Sequence, residues 1–256
     1  MEEPALDSPT IPHRQEYNMP PYQLTEPAIA SFVVIPAVLA MGLVWATIAS
    51  SRRAGASPAI ARRSGVIVGA ITALWMAVTW VAAANGIIRN WERIPPPFML
   101  LLAGILALAL WLSLGPIGGR LAVYVPLWAL VAAQAFRLPL ELAMHALYER
   151  GIMPMQMSYS GRNFDILTGA TAVIVAAAVK AGWGGRRLVA VWNVGGLALL
   201  ANIVTVAILS TPVFRLFGDD RLNVFVTYTP FVWLPAVMVL AALAGHLVIF
   251  RALRRL

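Results

Sequence analysis

The amino-acid sequence is divided into seven apolar runs, each about as long as the 20 residues a helix needs to cross a hydrocarbon core of about 30 Å. The runs lie at about residues 27–50, 66–88, 95–114, 121–148, 164–183, 188–211 and 231–253. Only 12% of the residues are charged and 60% are hydrophobic, whereas a soluble domain carries about 25% charged residues. A backbone immersed in lipid must satisfy its hydrogen bonds within its own segment. The expected fold is therefore all-α: a polytopic membrane protein, a bundle of seven transmembrane helices with the lipid bilayer as its first partner.

The formal net charge is +8, which in a soluble chain would suggest nucleic acid as a partner. Here the basic residues sit at the ends of apolar runs, so they orient the chain in a membrane, and no nucleic-acid partner is expected. Assigning alternate loops to opposite sides puts Arg52, Arg53, Arg62, Arg63, Arg120, Lys180, Arg186, Arg187, Arg251, Arg254 and Arg255 on one side with no acid among them. Short cytoplasmic loops hold the Lys and Arg excess. This predicts an extracytoplasmic N-terminus and a cytoplasmic C-terminus, and the Arg-rich, Ala-rich usage fits a multi-pass protein of a bacterial inner (plasma) membrane.

Residues 1–26, MEEPALDSPTIPHRQEYNMPPYQLTE, are acidic and proline-rich, without the basic and apolar stretches of a secretory leader. They read as an extracytoplasmic tail ahead of the seven-helix domain at 27–256. The chain has no cysteine, which removes disulfides, thiolate metal sites and thiol nucleophiles.

The fourth run carries the chemistry. Gln134, Arg137, Glu141 and His145 recur at spacings of three, four and four, which places them within an arc of about 80° on one helical face. Ionisable groups inside a membrane turn toward a partner or a wet cavity. A helix entering near Leu121 would carry Arg137 and Glu141 into the outer half of the bilayer, so the expected cavity opens outward. Pro139 removes one backbone donor and frees the carbonyl of Ala135, in keeping with a cavity. The plainer alternative is an Arg137–Glu141 ion pair, one turn apart, that locks the helix in place.

The following segment, YERGIMPMQMSYSGRNFDIL, returns the chain into the fifth run. Asn163 and Asp165 stand where they can cap that helix. The functional expectation is that this loop folds over the stripe and sets Arg162 and Asp165 opposite Glu141 and His145, with Asn163 counted among the candidate binding residues. Met153, Met155 and Met157 form a thioether string of the kind that can hold Cu(I), although methionine is equally a packing residue. Ser158 and Ser160 lie near His145 without a motif to fix their geometry.

Other cofactors are not expected. His145 and His246 fall at different depths, which argues against a bis-histidine haem. A seven-helix bundle invites comparison with retinal proteins, but the sole lysine, Lys180, lies at the end of the fifth run rather than in the last helix, so no retinal Schiff base is expected. There is no HExxH and no GxSxG motif, and the chain leans away from an enzyme. Two functions remain open. In the first, the stripe binds or transports a small polar or anionic solute, or protons. In the second, the chain is a non-catalytic subunit that docks on membrane-protein partners through its tail and outer loops.

Overall fold

Proline and serine set where the first helices begin. The computed structural model describes residues 19–255, and most of the tail expected at 1–26 lies outside the described residues. Helix α1 spans Pro27–Arg53 and α2 spans Pro58–Ala84, each with proline in its first turn, where the missing N–H costs nothing. Ser57 caps α2 by accepting the N–H of Ile60. The helix therefore starts eight residues ahead of the apolar run at 66–88. Arg62 and Arg63 ride exposed on its first turns, their stems along the helix and their heads free to reach the interface.

Helix α3 covers Pro97–Leu114, and α4 is a short helix, Pro116–Tyr124. The fourth apolar run is thus not one helix. Val125 is extended because Pro126 follows it and disfavours helical geometry in the residue before. Helix α5, Leu127–Ala132, then passes through a 3₁₀ turn at Ala133–Phe136 into α6, Arg137–Glu149. Pro139 lacks an N–H and its ring crowds the carbonyl four residues earlier, which accounts for the tighter winding just before it. The continuous membrane-length stretch is Leu127–Glu149, in which Arg137 is the eleventh of 23 residues. Arg137 and Glu141 consequently lie nearer the middle of the span than an entry at Leu121 would put them.

Helix α7 is Ile166–Lys180, only 15 residues, or about 22 Å at 1.5 Å per residue. Helix α8 runs Arg186–Leu209, and the last span combines a π-helical segment, Leu234–Val239, with α9, Leu240–Leu253. Among the described residues six helices are long and apolar enough to cross a membrane; α7, from the fifth apolar run, falls short. The reason is local: the loop before α7 is buried in the protein, with Ser158, Asn163 and Asp165 at most 4% exposed, so α7 starts against the middle of the α5–α6 span. Its far end returns to the start of that span, where the Lys180 ammonium lies 5.0 Å over the Trp128 ring.

No strand occurs among the described residues. Large apolar side chains such as Val38, Trp45, Leu74 and Leu106 are exposed along α1, α2 and α3, the surface expected of helices solvated by acyl chains. The largest apolar core joins Phe32, Phe98, Met144, Leu200, Phe231 and Met238 under the loops at the α6 end of the bundle. Residues 19–26 are tied to this face: the Tyr22 hydroxyl donates to the Thr229 carbonyl at 2.5 Å, its ring meets Phe231 edge-on, and Glu26 pairs with Arg150.

Candidate functional site

Arg137 is the largest fully buried side chain, 1% exposed, and a guanidinium carries five N–H donors that a single carboxylate one turn away does not satisfy. The structure supplies acceptors from two other helices. Nε donates to Asp165 Oδ2 at 2.7 Å, at the start of α7, and Nη1 donates to His246 Nε2 at 2.8 Å, on α9. Nη2 also lies 2.7 Å from Asp165 Oδ2, so the carboxylate oxygen faces both nitrogens on that edge of the guanidinium. The plainer alternative, an ion pair within α6, does not form: Arg137 pairs with Asp165 and not with Glu141.

His246 is held from both sides. Because Arg137 only donates, His246 Nε2 accepts, which leaves Nδ1 to carry the proton and donate to Asn193 Oδ1 at 2.8 Å. Asn193 Nδ2 donates in turn to the His246 carbonyl at 3.1 Å. The imidazole is thus neutral and its tautomer is fixed by its partners. Two glycines permit this arrangement. A Cβ on Gly169 would come 2.8 Å from the Arg137 carbonyl carbon, and one on Gly196 would come 2.7 Å from His246 Cε1. Helices α7 and α8 reach the polar centre because these positions lack a side chain.

Glu141 is 2% exposed. Its Oε2 accepts from Asn163 Nδ2 at 2.6 Å, and Asn163 also donates to the Met157 carbonyl at 3.0 Å. Oε1 has no hydrogen-bonding partner among the described residues. Asn163 Oδ1 takes the N–H of Asp165 at 3.0 Å, so Asn163 organises the entry to α7, while Asp165 spends its carboxylate on Arg137 and on Thr168 rather than on a helix cap. The result is one guanidinium beside two carboxylates, with Glu141 outside the paired set.

A cavity adjoins this cluster. Arg137, Glu141, Asn163 and Asp165 line it on one side and Asn223 joins from the 223–226 loop; the remaining lining is apolar, from α3, α6, α8 and the π-helical segment. It leaves about 70 Å³ for the centres of water molecules, several times the ~10–15 Å³ that one water needs. The π-helical winding of Leu234–Val239 displaces side chains from ordinary helical register, a distortion that recurs at functional sites. Trp75 Nε1 binds the Ala236 carbonyl there at 2.8 Å.

The remaining residues of the stripe and loop separate from this centre. Gln134, 1% exposed, donates to the Ala242 carbonyl at 3.4 Å and leaves Oε1 unpartnered. His145 is part of an outer cluster: Nδ1 meets Ser158 Oγ at 2.8 Å and Ser160 Oγ at 3.3 Å, Nε2 lies 3.5 Å from Glu149, and the ring stacks on Tyr159. Ser158 is fully buried and its Oγ also takes the Ser160 N–H, which makes it a brace of the loop. Arg162 does not face Glu141 or His145. It is exposed, with its guanidinium 5.2 Å over the Phe217 ring and its carbonyl accepting from Asn202.

The three methionines also part. Met157 lines the inner cavity, whereas Met153 and Met155 line a groove beneath the outer loops. The 3₁₀ turn at Met155–Met157 accounts for this, since residues two apart on such a turn point to different sides. Among the described residues no three His, Asp or Glu side chains form a group that could hold a metal ion. The residues that sequence reasoning left out of the site are His246, weighed only as a haem ligand, Asn193 and Asn223. The available signal was the donor count of Arg137, which asks for acceptors beyond its own helix.

The chain matches no family model, no curated protein and no solved structure.

Proposed function

We propose that this membrane-embedded protein binds and moves a small solute or protons through the cavity beside Glu141, and that Glu141 is the group that gains and loses a proton. One observation carries the reading. The Glu141 carboxylate is buried at mid-span, stands outside the Arg137–Asp165 pair, and keeps one oxygen unpartnered at a cavity wall. A buried charge is retained only where it is paired or hydrogen-bonded. Arg137 with Asp165 and His246 forms the fixed frame, and Asn163 holds Glu141 in place. Since Arg137 is already engaged by Asp165, its role is to organise the site more than to await an anionic solute.

In this reading all seven apolar runs belong to the membrane domain, with α7 entering from the buried loop, the N-terminus extracytoplasmic and the arginine-rich loops cytoplasmic. The test is pH-jump difference infrared spectroscopy on the protein in lipid. A carboxylic-acid band should appear on acidification and vanish in Glu141→Gln. A wild-type protein without such a band, or a band unchanged in Glu141→Gln, contradicts the proposal.

A further inference from the structure

Helix α4 packs against α1, α3 and α9, and guanidinium groups from two of these close over its ends. Arg53, the last residue of α1, donates from Nη1 to the Tyr124 carbonyl at 2.7 Å. Arg251 on α9 donates from Nη1 to the Gly115 carbonyl at 3.0 Å and also to that of Ser113. Its guanidinium lies so close over α4 that a Cβ on Gly119 would come 2.8 Å from Nη2. Arg120 follows in α4 itself, half-buried, its Nε enclosed and without a hydrogen-bonding partner. Three cations thus gather along a helix of 9 residues, about 13 Å long. Nothing in these helices neutralises them, since α1, α3, α4 and α9 contain no Asp or Glu. A guanidinium has five N–H donors, and Arg53 and Arg251 bond through Nη1 alone.

We propose that the corner formed by α1, α4 and α9 binds an anionic phospholipid, with its phosphate held by Arg53, Arg120 and Arg251. The planar fork of a guanidinium matches two oxygens of a phosphate, and basic pockets at the ends of membrane helices attract anionic head groups. The surroundings favour a phosphate carried by a lipid over a free one. Exposed Trp111 and Leu114 at the end of α3, and exposed Val123 on α4, flank the cations and offer apolar surface for acyl chains. None of these residues lines the cavity beside Glu141, so this site and the proton site stand or fall separately.

The test is native mass spectrometry of the full chain in detergent, given equal amounts of phosphatidylglycerol and phosphatidylcholine with identical acyl chains. The anionic lipid should be retained at least about fivefold better than the zwitterionic one. Arg120→Gln removes a side chain that makes no hydrogen bond, so it should fold and cut that preference about fivefold, the effect of one cation near a phosphate. Arg53→Gln serves should the first variant fail to fold. Arg187→Gln, which takes the same charge from the exposed start of α8, should leave the preference unchanged. An excess of inorganic phosphate should not displace the lipid. Equal retention of the two lipids, or a preference indifferent to Arg120→Gln and Arg53→Gln, overturns the proposal. So does an equal loss in Arg187→Gln, which would mean a diffuse field in place of a site. Displacement by inorganic phosphate overturns it as well, because the corner would then hold a free anion.

Discussion

The α1–α2 hairpin and the last span are built from similarly apolar sequence, yet only 17% of the hydrophobic windows of α1 and α2 is buried, against 50% of the window in 234–253. The hairpin is exposed on most sides and joins the bundle along a limited seam, through Phe32 in the main core and through Trp75, whose Nε1 binds the Ala236 carbonyl. The centre, formed by α5–α6, α7 and α9, holds a guanidinium, two carboxylates and an imidazole in a set of directed bonds. In lipid, apolar side chains gain little by exchanging acyl chains for protein. Position within the bundle is therefore set by small residues and polar partners, and the two regions should respond to mutation very differently.

The largest contrast is expected from Asp165→Ala, which strands the buried Arg137 charge. Breaking a buried pair from one side costs about 3–5 kcal/mol, so the unfolding midpoint in mixed micelles should fall sharply. Trp45→Ala on the exposed face of α1 should stay within about 0.5 kcal/mol. Next comes Gly169→Leu, which forces α7 away from the Arg137 backbone. Overpacking of this kind costs about 1–3 kcal/mol, and the same change at Gly42, whose Cβ would meet open space, should be nearly silent. Asn193→Ala removes the acceptor of the His246 Nδ1 proton and should cost about 1–3 kcal/mol by the same assay.

How much of this was legible in the sequence depends on the range of the interaction. Hydropathy is local, and it locates the long helices that the structure contains. It missed the break at Pro126 because proline within an apolar run leaves the run apolar, and that miss displaced Arg137 outward by several residues. The burial of Arg137 and Glu141 was readable from their spacing, but their partners were not. Asp165 and His246 are 28 and 109 positions from Arg137; Gly169 lets α7 bring Asp165 in, and Gly196 lets α8 bring Asn193 against His246. The loop residues show the same limit. Asn163 and Asp165 turn inward and Arg162 outward, a choice made by the fold of the 155–165 segment rather than by residue type.

The smallest expected effect lies at the rim. Burial raises the Tyr22 phenol above its ordinary value, against smaller lowering effects of the Thr229 side chain and of the nearby Arg89. A raised value in the folded state means that this contact contributes fully below the phenol's unfolded value, near 10, and is lost as the pH rises through the folded one. Tyr22→Phe should therefore flatten the alkaline limb of stability while changing the neutral midpoint only slightly, which a pH series of melting curves would read.

The central claim is that Arg137 is committed to Asp165 and leaves Glu141 apart. A pair of double-mutant cycles tests it most directly, Arg137→Met with Asp165→Ala and Arg137→Met with Glu141→Gln, each read as unfolding free energy in the same micelles. The predicted result is a coupling on the order of 2–3 kcal/mol for the Arg137–Asp165 cycle and within about 0.5 kcal/mol of zero for the Arg137–Glu141 cycle. A larger coupling to Glu141 than to Asp165 would contradict it.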